Sequence, residues 1–334
     1  MQKQKFNNNK INFSTEEEIF ETVLDKDHVF RKLNKVISWN KIAGNLRKLY
    51  RKNGKIGIDV RKGLKCLVMQ FWENYSDREM EKALKENFAI KWFCEFGIGE
   101  DTPDHSYFGK LRKRIGQKEL LKIFEKINLE LSSKGITGNV FEVIDASAIV
   151  TKTQLWAERD RAIADGEKKL NNKNVTRYAA DKDARWGVKG KNKKWFGYKR
   201  HVSVDCKSGI ILKVSATPAN EPDFKEAKHI AGSGKVIFMD KGYDYPEVDE
   251  ELKKKGSISC AIRKKNNPRK DWQKDSWRTK IRMPFEGVFS KMERRSRYRG
   301  KAKVTMQCIL ESISYNLKKA LTILAISEVG LDLN

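Results

Sequence analysis

Two apolar runs, Val140 to Ile144 and Lys235 to Met239, read as β-strands, and each runs straight into an aspartate, Asp145 and Asp240. Between them lie two more strand-like runs, His201 to Asp205 and Ile210 to Ala216. The turn Cys206-Lys207-Ser208-Gly209 joins these two, and a helical stretch, Phe224 to Ile230, follows. A second helical stretch, Tyr245 to Lys255, leads into the strand Ile258 to Ile262. The order β, β, β, α, β, α, β, then helix, predicts a mixed sheet. A hairpin makes antiparallel neighbours, and helical crossovers make parallel ones. Ligands of such sheets sit off the carboxyl ends of the strands. If the first and fourth strands are neighbours, Asp145 and Asp240 share one site.

The residues ahead of this pattern read differently. Residues 1–13 form a polar tail, and 14–135 carry helical periodicity. Ser14 with Glu17, and Ser76 with Glu79, are spaced as capping boxes. Leu64, Val68, Phe71 and Trp72 recur at helical spacing between Val60 and Tyr75 and predict a core face. His105 to Arg114 reads as a short basic helix ending at Gly116, followed by a helix from Lys118 to Leu131. That short helix fits either a helix-turn-helix reader of DNA through Arg112 and Arg114 or an ordinary solvated surface helix. A helical domain over 14–135 and a sheet domain over 136–328 suit a chain of 334 residues, at about 150 residues per domain. The sheet domain carries a basic insert at 151–199. Residues 304–328 form a closing helix with Ile309, Ile313, Leu317 and Leu321 on one face.

Charge narrows the partners. Lys plus Arg number 70 against 44 acids, a net +26, so the surface attracts polyanions, of which nucleic acid is the commonest. No apolar stretch reaches the roughly 18 residues of a membrane span, and the start of the chain has no apolar signal core. The expected location is the cytoplasm, at the nucleoid. The five cysteines are scattered with no C-x-x-C pair, so neither a zinc site nor a disulfide framework is indicated.

Against that positive charge, a carboxylate at the end of a buried strand is costly unless paired or bound to a cation. Asp145, Asp240 and Glu286, the last in Arg282-Met283-Pro284-Phe285-Glu286, form a candidate set for a magnesium or manganese site that cuts or joins phosphodiester bonds. Spacing alone leaves other readings open. Asp240 can simply cap a turn with Lys241-Gly242, Glu286 can be a helix-surface residue, and Asp181, Asp183, Asp205, Asp223 and Asp244 compete. The run from Lys189 to Arg200, which contains Lys193 and Lys194, interleaves cations with Trp195, Phe196 and Tyr198, and Trp186 precedes it. Such a surface can stack on bases and bind phosphates, or the aromatic rings can belong to the sheet core.

Taken in order, several motifs carry a family resemblance. They are Leu67 to Phe96 with Pro103-Asp104-His105-Ser106, and Val143-Ile144-Asp145-Ala146-Ser147. Asp181-Lys182-Asp183-Ala184-Arg185-Trp186-Gly187 and Phe196-Gly197-Tyr198-Lys199-Arg200-His201 follow. Then come Thr217-Pro218-Ala219-Asn220, Asp240-Lys241-Gly242-Tyr243-Asp244, and Arg282 and Glu286 with Phe289 and Arg297-Tyr298-Arg299-Gly300. Over roughly residues 58–325 the chain resembles a bacterial or archaeal insertion-sequence transposase of the DDE class, most similar to the insertion-sequence group numbered five.

The resemblance implies an α+β or α/β chain, with a helical N-terminal domain followed by a ribonuclease-H-like mixed-sheet catalytic domain. It implies Asp145, Asp240 and Glu286 as ligands of Mg2+ or Mn2+, and Arg282 as a contact to a DNA phosphate. The expected partner is double-stranded DNA, both the terminal inverted repeats of the element and the target, engaged by a homodimer. The family's third motif has Tyr and Lys where this chain has Thr279 and Glu293. Lys291 and Arg294 stand near enough to substitute, and Arg294, eight residues after Glu286, would share its face on a continuous helix. Two other readings remain: a DNA-binding repressor on a catalytically impaired core, and a ribonuclease-H-like nuclease.

Overall fold

The computed structural model describes residues 15–49, 57–138, 140–153, 155–190 and 192–328; the side chains of Glu286, Ser327 and Glu328 lie outside that description. The expected tail and Ser14 also lie outside the described residues. The first capping box is made one position later than expected. Thr15 accepts from the Glu18 amide at 3.3 Å, and the Glu18 carboxylate accepts from the Thr15 amide at 3.1 Å. The second is made by Ser76 and Glu79 as predicted.

The helical half comprises α1 (Glu16–Val23), α2 (Val29–Val36), α3 (Trp39–Ala43), α4 (Val60–Trp72), α5 (Asp77–Glu86), α6 (Phe88–Phe93) and α7 (His105–Ser133). Helix α4 is buried on nearly every side, which its run of Leu64, Cys66, Leu67, Val68 and Met69 allows. Helix α7 breaks direction at Gly116, whose φ of 72° is open to glycine at no steric cost. This is the predicted boundary between two helices.

The second half is β1 (Phe141–Val150), α8 (Trp156–Ala164), α9 (Val175–Tyr178), β2 (Arg185–Lys189), β3 (Lys193–Asp205), β4 (Ile211–Pro218), α10 (Phe224–Ile230), β5 (Val236–Met239), α11 (Pro246–Lys254), β6 (Ile258–Ala261), α12 (Trp272–Arg282), α13 (Glu286–Ser290) and α14 (Lys301–Glu328). The strands form one sheet in the order β2-β3-β1-β5-β6, with β4 also on β3. Strand β3 is antiparallel to β1, β2 and β4, whereas β1, β5 and β6 run parallel. This is the mixed, ribonuclease-H-like sheet expected.

Two expectations about the strands change. Strand β1 does not stop at Ile144; it continues to Val150, so Asp145 lies mid-strand. The extra length is held by β3, which pairs with β1 as far as Val150↔Gly197. A β-carbon at Gly197 would collide with the Ile149 carbonyl, so only glycine permits the close approach there. Nor is 151–199 wholly an insert. Its last third supplies β2 and the first half of β3 to the sheet.

Helix α14 joins the two halves. It packs on α7, α4 and β4, and one hydrophobic core runs through Leu33, Leu67, Phe124, Tyr198, Val202, Ile309 and Leu317. Asn316 fixes its register by accepting from the Ile211 amide at 2.8 Å and donating to the Ile211 carbonyl at 2.7 Å. Buried Arg200 of β3 pairs with Glu311 of α14, which also accepts from Gln307 at 2.7 Å. Unpaired, either charge would incur a large desolvation penalty. Ile144, Ile237, Met239 and Tyr243 form a separate cluster with α10 and α11.

Candidate active site

The parallel pairing of β1 with β5 ends at Ile144↔Met239. The next residue on each strand is an aspartate, so Asp145 and Asp240 emerge side by side. Each carboxylate accepts from the amide that follows it, Asp145 from Ala146 at 2.8 Å and Asp240 from Lys241 at 2.7 Å. The last residue of α12, Arg282, reaches between them. Its Nη2 stands 2.8 Å from Asp145 Oδ2 and its Nη1 stands 3.7 Å from Asp240 Oδ1. The Arg282 side chain is 8% exposed, against 26% for Asp145 and 41% for Asp240. The two acids therefore open to solvent while the cation lies beneath them.

Burial pushes the Asp145 carboxyl above its ordinary range. Arg282 and the Ala146 amide pull it back, and the negative charge of Asp240 raises it further. A site with two hard carboxylate donors, one of them destabilised as an anion by burial and a like charge, fits a divalent cation. Glu286 begins α13, just beyond the short 3-10 turn Met283–Phe285 that follows Arg282. Its carboxylate lies outside the described residues, and among the described side chains no three His, Cys, Asp or Glu groups are set to hold a metal.

The competing acids are engaged elsewhere. Asp181 accepts from the Tyr198 hydroxyl at 2.6 Å and Asp183 from the Lys301 amide at 2.9 Å. Asp205 caps its own turn through Ser208, Asp223 pairs with Lys199 at 2.8 Å, and Asp244 pairs with Arg263 at 2.7 Å.

Of the basic residues singled out, Lys193 and Lys194 are exposed at the start of β3, and Arg114 is exposed on α7. Arg112 is not on the surface. Its side chain is 7% exposed and forms a two-pronged pair with Asp77, at 2.9 and 2.6 Å. It also donates to Gln70 at 3.0 Å and lies 4.8 Å over the Tyr298 ring. The expected DNA reader at this position is thus an internal tie between α7 and α5, because the helix face carrying Arg112 turns toward the core.

Trp195, Phe196 and Tyr198 are likewise buried, and half-buried Trp186 packs on Phe196 at 5.3 Å. The interleaved aromatics are core, not a stacking platform. Arg294 does not share a helix face with Glu286 either. Helix α13 stops at Ser290, and the Arg294 carbonyl instead accepts from the Val150 amide at 2.8 Å. Lys291 is exposed, on a cleft with Trp72, Lys318 and Lys319.

The two departures from the third motif have local partners. The Thr279 hydroxyl donates to the Asp275 carbonyl one turn back, at 2.8 Å. Glu293 accepts from Asn74 at 2.9 Å, and the same Asn74 receives Arg297. Asn74 holds a φ of 62° in the turn between α4 and α5. Glu293 therefore ties the segment after α13 to the helical half. Sequence reasoning also passed over Tyr243, which is wholly buried with a hydroxyl lacking a partner among the described residues. Asp145, Arg282 and Asp240 are among the charges acting on it. Its place three residues after Asp240 was the available signal.

Comparison with known families settles what kind of protein carries this site. Residues 140–317 match the family described as transposase DDE domain, more than half of the chain. The chain belongs to the DDE transposase family. Residues 18–114 match a second family, described as transposase domain (DUF772). A solved structure, the cryo-EM piggyBac transposase synaptic complex with hairpin DNA, aligns at a TM-score of 0.36 and 12% identity. That alignment covers 92% of this chain and 76% of that one. This DDE transposase is an enzyme of DNA transposition, from a family that depends on divalent metal. No helix among the described residues is long and apolar enough to cross a membrane.

Proposed function

We propose that this transposase binds the terminal inverted repeats of its own element and uses Asp145, Asp240 and Glu286 to hold Mg2+ or Mn2+ for strand cleavage and strand transfer. The observation that carries the proposal is the β1–β5 register, which sets Asp145 beside Asp240 with an arginine at their feet. Bound there, a divalent cation would stabilise the charge that builds on the phosphoryl oxygens during in-line displacement. The chain's own residues do the rest. Asp145 and Asp240 are pre-aimed by the amides of Ala146 and Lys241, so little reorganisation is needed at the moment of reaction. In the first step water displaces the 3′-oxygen of the element's end. In the second the freed 3′-hydroxyl attacks a target phosphodiester, so the number of phosphodiester bonds is conserved in the transfer.

Affinity for DNA belongs to exposed cations, with Lys193, Lys194, Lys291 and Arg294 contacting phosphates, while Arg114, exposed on α7, supplies part of the preference for the end sequence. Two element ends require two active sites, which supports a homodimer on DNA, working at the nucleoid.

The test is Asp145→Asn, assayed for cleavage of a duplex bearing the element's end and for binding to that duplex. Cleavage in Mg2+ or Mn2+ should disappear while binding persists. Cleavage at the wild-type rate would refute the assignment. The repressor reading predicts a wild-type protein that binds the ends and cuts nothing in either metal.

A further inference from the structure

Arg282 closes the carboxylate site from below. Its two Nη groups address different acids, Asp145 at 2.8 Å and Asp240 at 3.7 Å, and its Nε is buried without a partner among the described residues. The oxygens it engages belong to the same two carboxylates that the proposed function assigns to a divalent cation. A guanidinium and a dication cannot both be accommodated there at full strength, since like charges repel and the oxygens are shared. Arg282 is also poorly placed to leave unaided. Its side chain is 8% exposed, and a buried guanidinium without an anion is strongly disfavoured.

One ligand relieves both conflicts. A phosphate diester of DNA offers two oxygens in the geometry that a guanidinium binds in fork fashion. The location of Arg282 permits the exchange. It is the last residue of α12, and the backbone beyond it passes through a short 3-10 turn at Met283–Phe285, where Met283 is exposed. The other end of α12 is anchored. Asp271 caps it by accepting from Gln273 and Lys274, and Asp275 is held by Lys270 at 3.1 Å and Arg278 at 2.9 Å. The helix is thus anchored at its start, and Arg282 sits at its far end, next to the exposed Met283.

We infer that Arg282 is a counter-ion latch that couples metal loading to DNA. In the DNA-free protein it neutralises Asp145 and Asp240 and weakens their hold on a divalent cation. When DNA docks, a phosphate takes the guanidinium, the two carboxylates are left facing each other, and their affinity for the cation rises. Hydrolytic capacity is thereby withheld until a substrate is in place. This rests on the assignment of Asp145 and Asp240 as metal ligands, and it concerns a different property, the order in which metal and DNA bind.

The experiment measures Mn2+ binding from the electron paramagnetic resonance signal of the free ion, on the full chain, with and without a duplex carrying the element's end. Without DNA, Arg282→Gln should bind Mn2+ about tenfold more tightly than wild type, within the range usual for coupled sites. Arg282→Lys should fall between them, because it keeps the charge and loses the fork. Adding the duplex should tighten Mn2+ binding by wild type and change Arg282→Gln far less. Asp145→Asn, with and without duplex, corrects for Mn2+ drawn to the DNA itself. Equal DNA-free affinity in wild type, Arg282→Gln and Arg282→Lys would overturn the latch. So would equal tightening by DNA in wild type and Arg282→Gln. If instead Asp145→Asn binds Mn2+ as wild type does, the metal-ligand assignment fails, and the latch fails with it for that separate reason.

Discussion

Replacing Arg112 by methionine separates an internal tie from a DNA contact. The guanidinium is 7% exposed and gives both Nη groups to Asp77, with a third bond to Gln70. Removing one member of a buried ion pair costs about 3–5 kcal/mol, mostly because the partner is left charged and unpaired. The lower end applies here. Asp77 is 30% exposed and keeps a 2.6 Å bond from Gln70, and methionine retains an apolar stem of similar length. A loss of about 3 kcal/mol is therefore expected from urea unfolding followed by tryptophan fluorescence. Asp77→Asn in the Arg112→Met background should recover part of that loss, since the orphaned charge is gone.

The pH dependence gives a second check. Burial pushes the Asp77 carboxyl up, but the hydrogen bonds from Arg112 and Gln70 outweigh it and hold the group below its ordinary range. A depressed carboxyl contributes stability above its unfolded value, about pH 4, and loses it as pH falls through the lower folded value. Wild type should lose more stability in that acid window than Arg112→Met. The preference for end sequence over random DNA should be unchanged in the variant at equal folded concentration. A loss below about 0.5 kcal/mol, within the ordinary range for surface substitutions, together with a reduced sequence preference would refute the reasoning and return Arg112 to the DNA.

His201 is buried, donates to or accepts from Thr217 at 2.8 Å, and is held down to about 4, by burial against the opposing pull of Asp223 and Glu226. The unfolded chain protonates near pH 6.5 and the folded one does not, so stability should fall by up to about 3 kcal/mol between pH 6.5 and 4. His201→Gln should flatten that segment of a stability-against-pH curve, and an unchanged slope would contradict it. Lys193→Ala with Lys194→Ala should reduce the magnitude of the log–log salt slope of DNA binding by about 1.8 if both touch phosphates, for specific and random duplexes alike. A slope equal to wild type would remove this hairpin from the interface.

Much of the molecule was legible along the chain because it depends on local chemistry. Ser76 and Glu79 cap a helix with atoms three residues apart, and Gly116 bends α7 through its own backbone freedom. The apolar runs before Asp145 and Asp240 announce strands, and the helical stretches between strands dictate parallel neighbours. Asp145 and Asp240, 95 residues apart by number, could share a site only if the first and fourth strands were neighbours, and the β1–β5 pairing meets that condition.

Tertiary structure decided what depends on which way a side chain turns and what waits there. Arg112 and Arg114 look alike in sequence, yet one faces Asp77 in the interior and the other faces out. The aromatics from Trp195 to Tyr198 sit in the core, and the lysines beside them do not. Strand β1 runs past Asp145 because β3, from a distant segment, is long enough to pair with it. Arg282 meets the two acids only because α12 ends beneath them. Periodicity can assign a residue to a helix or a strand, but partners come from distant parts of the chain, and burial charges and neutralises groups according to those partners.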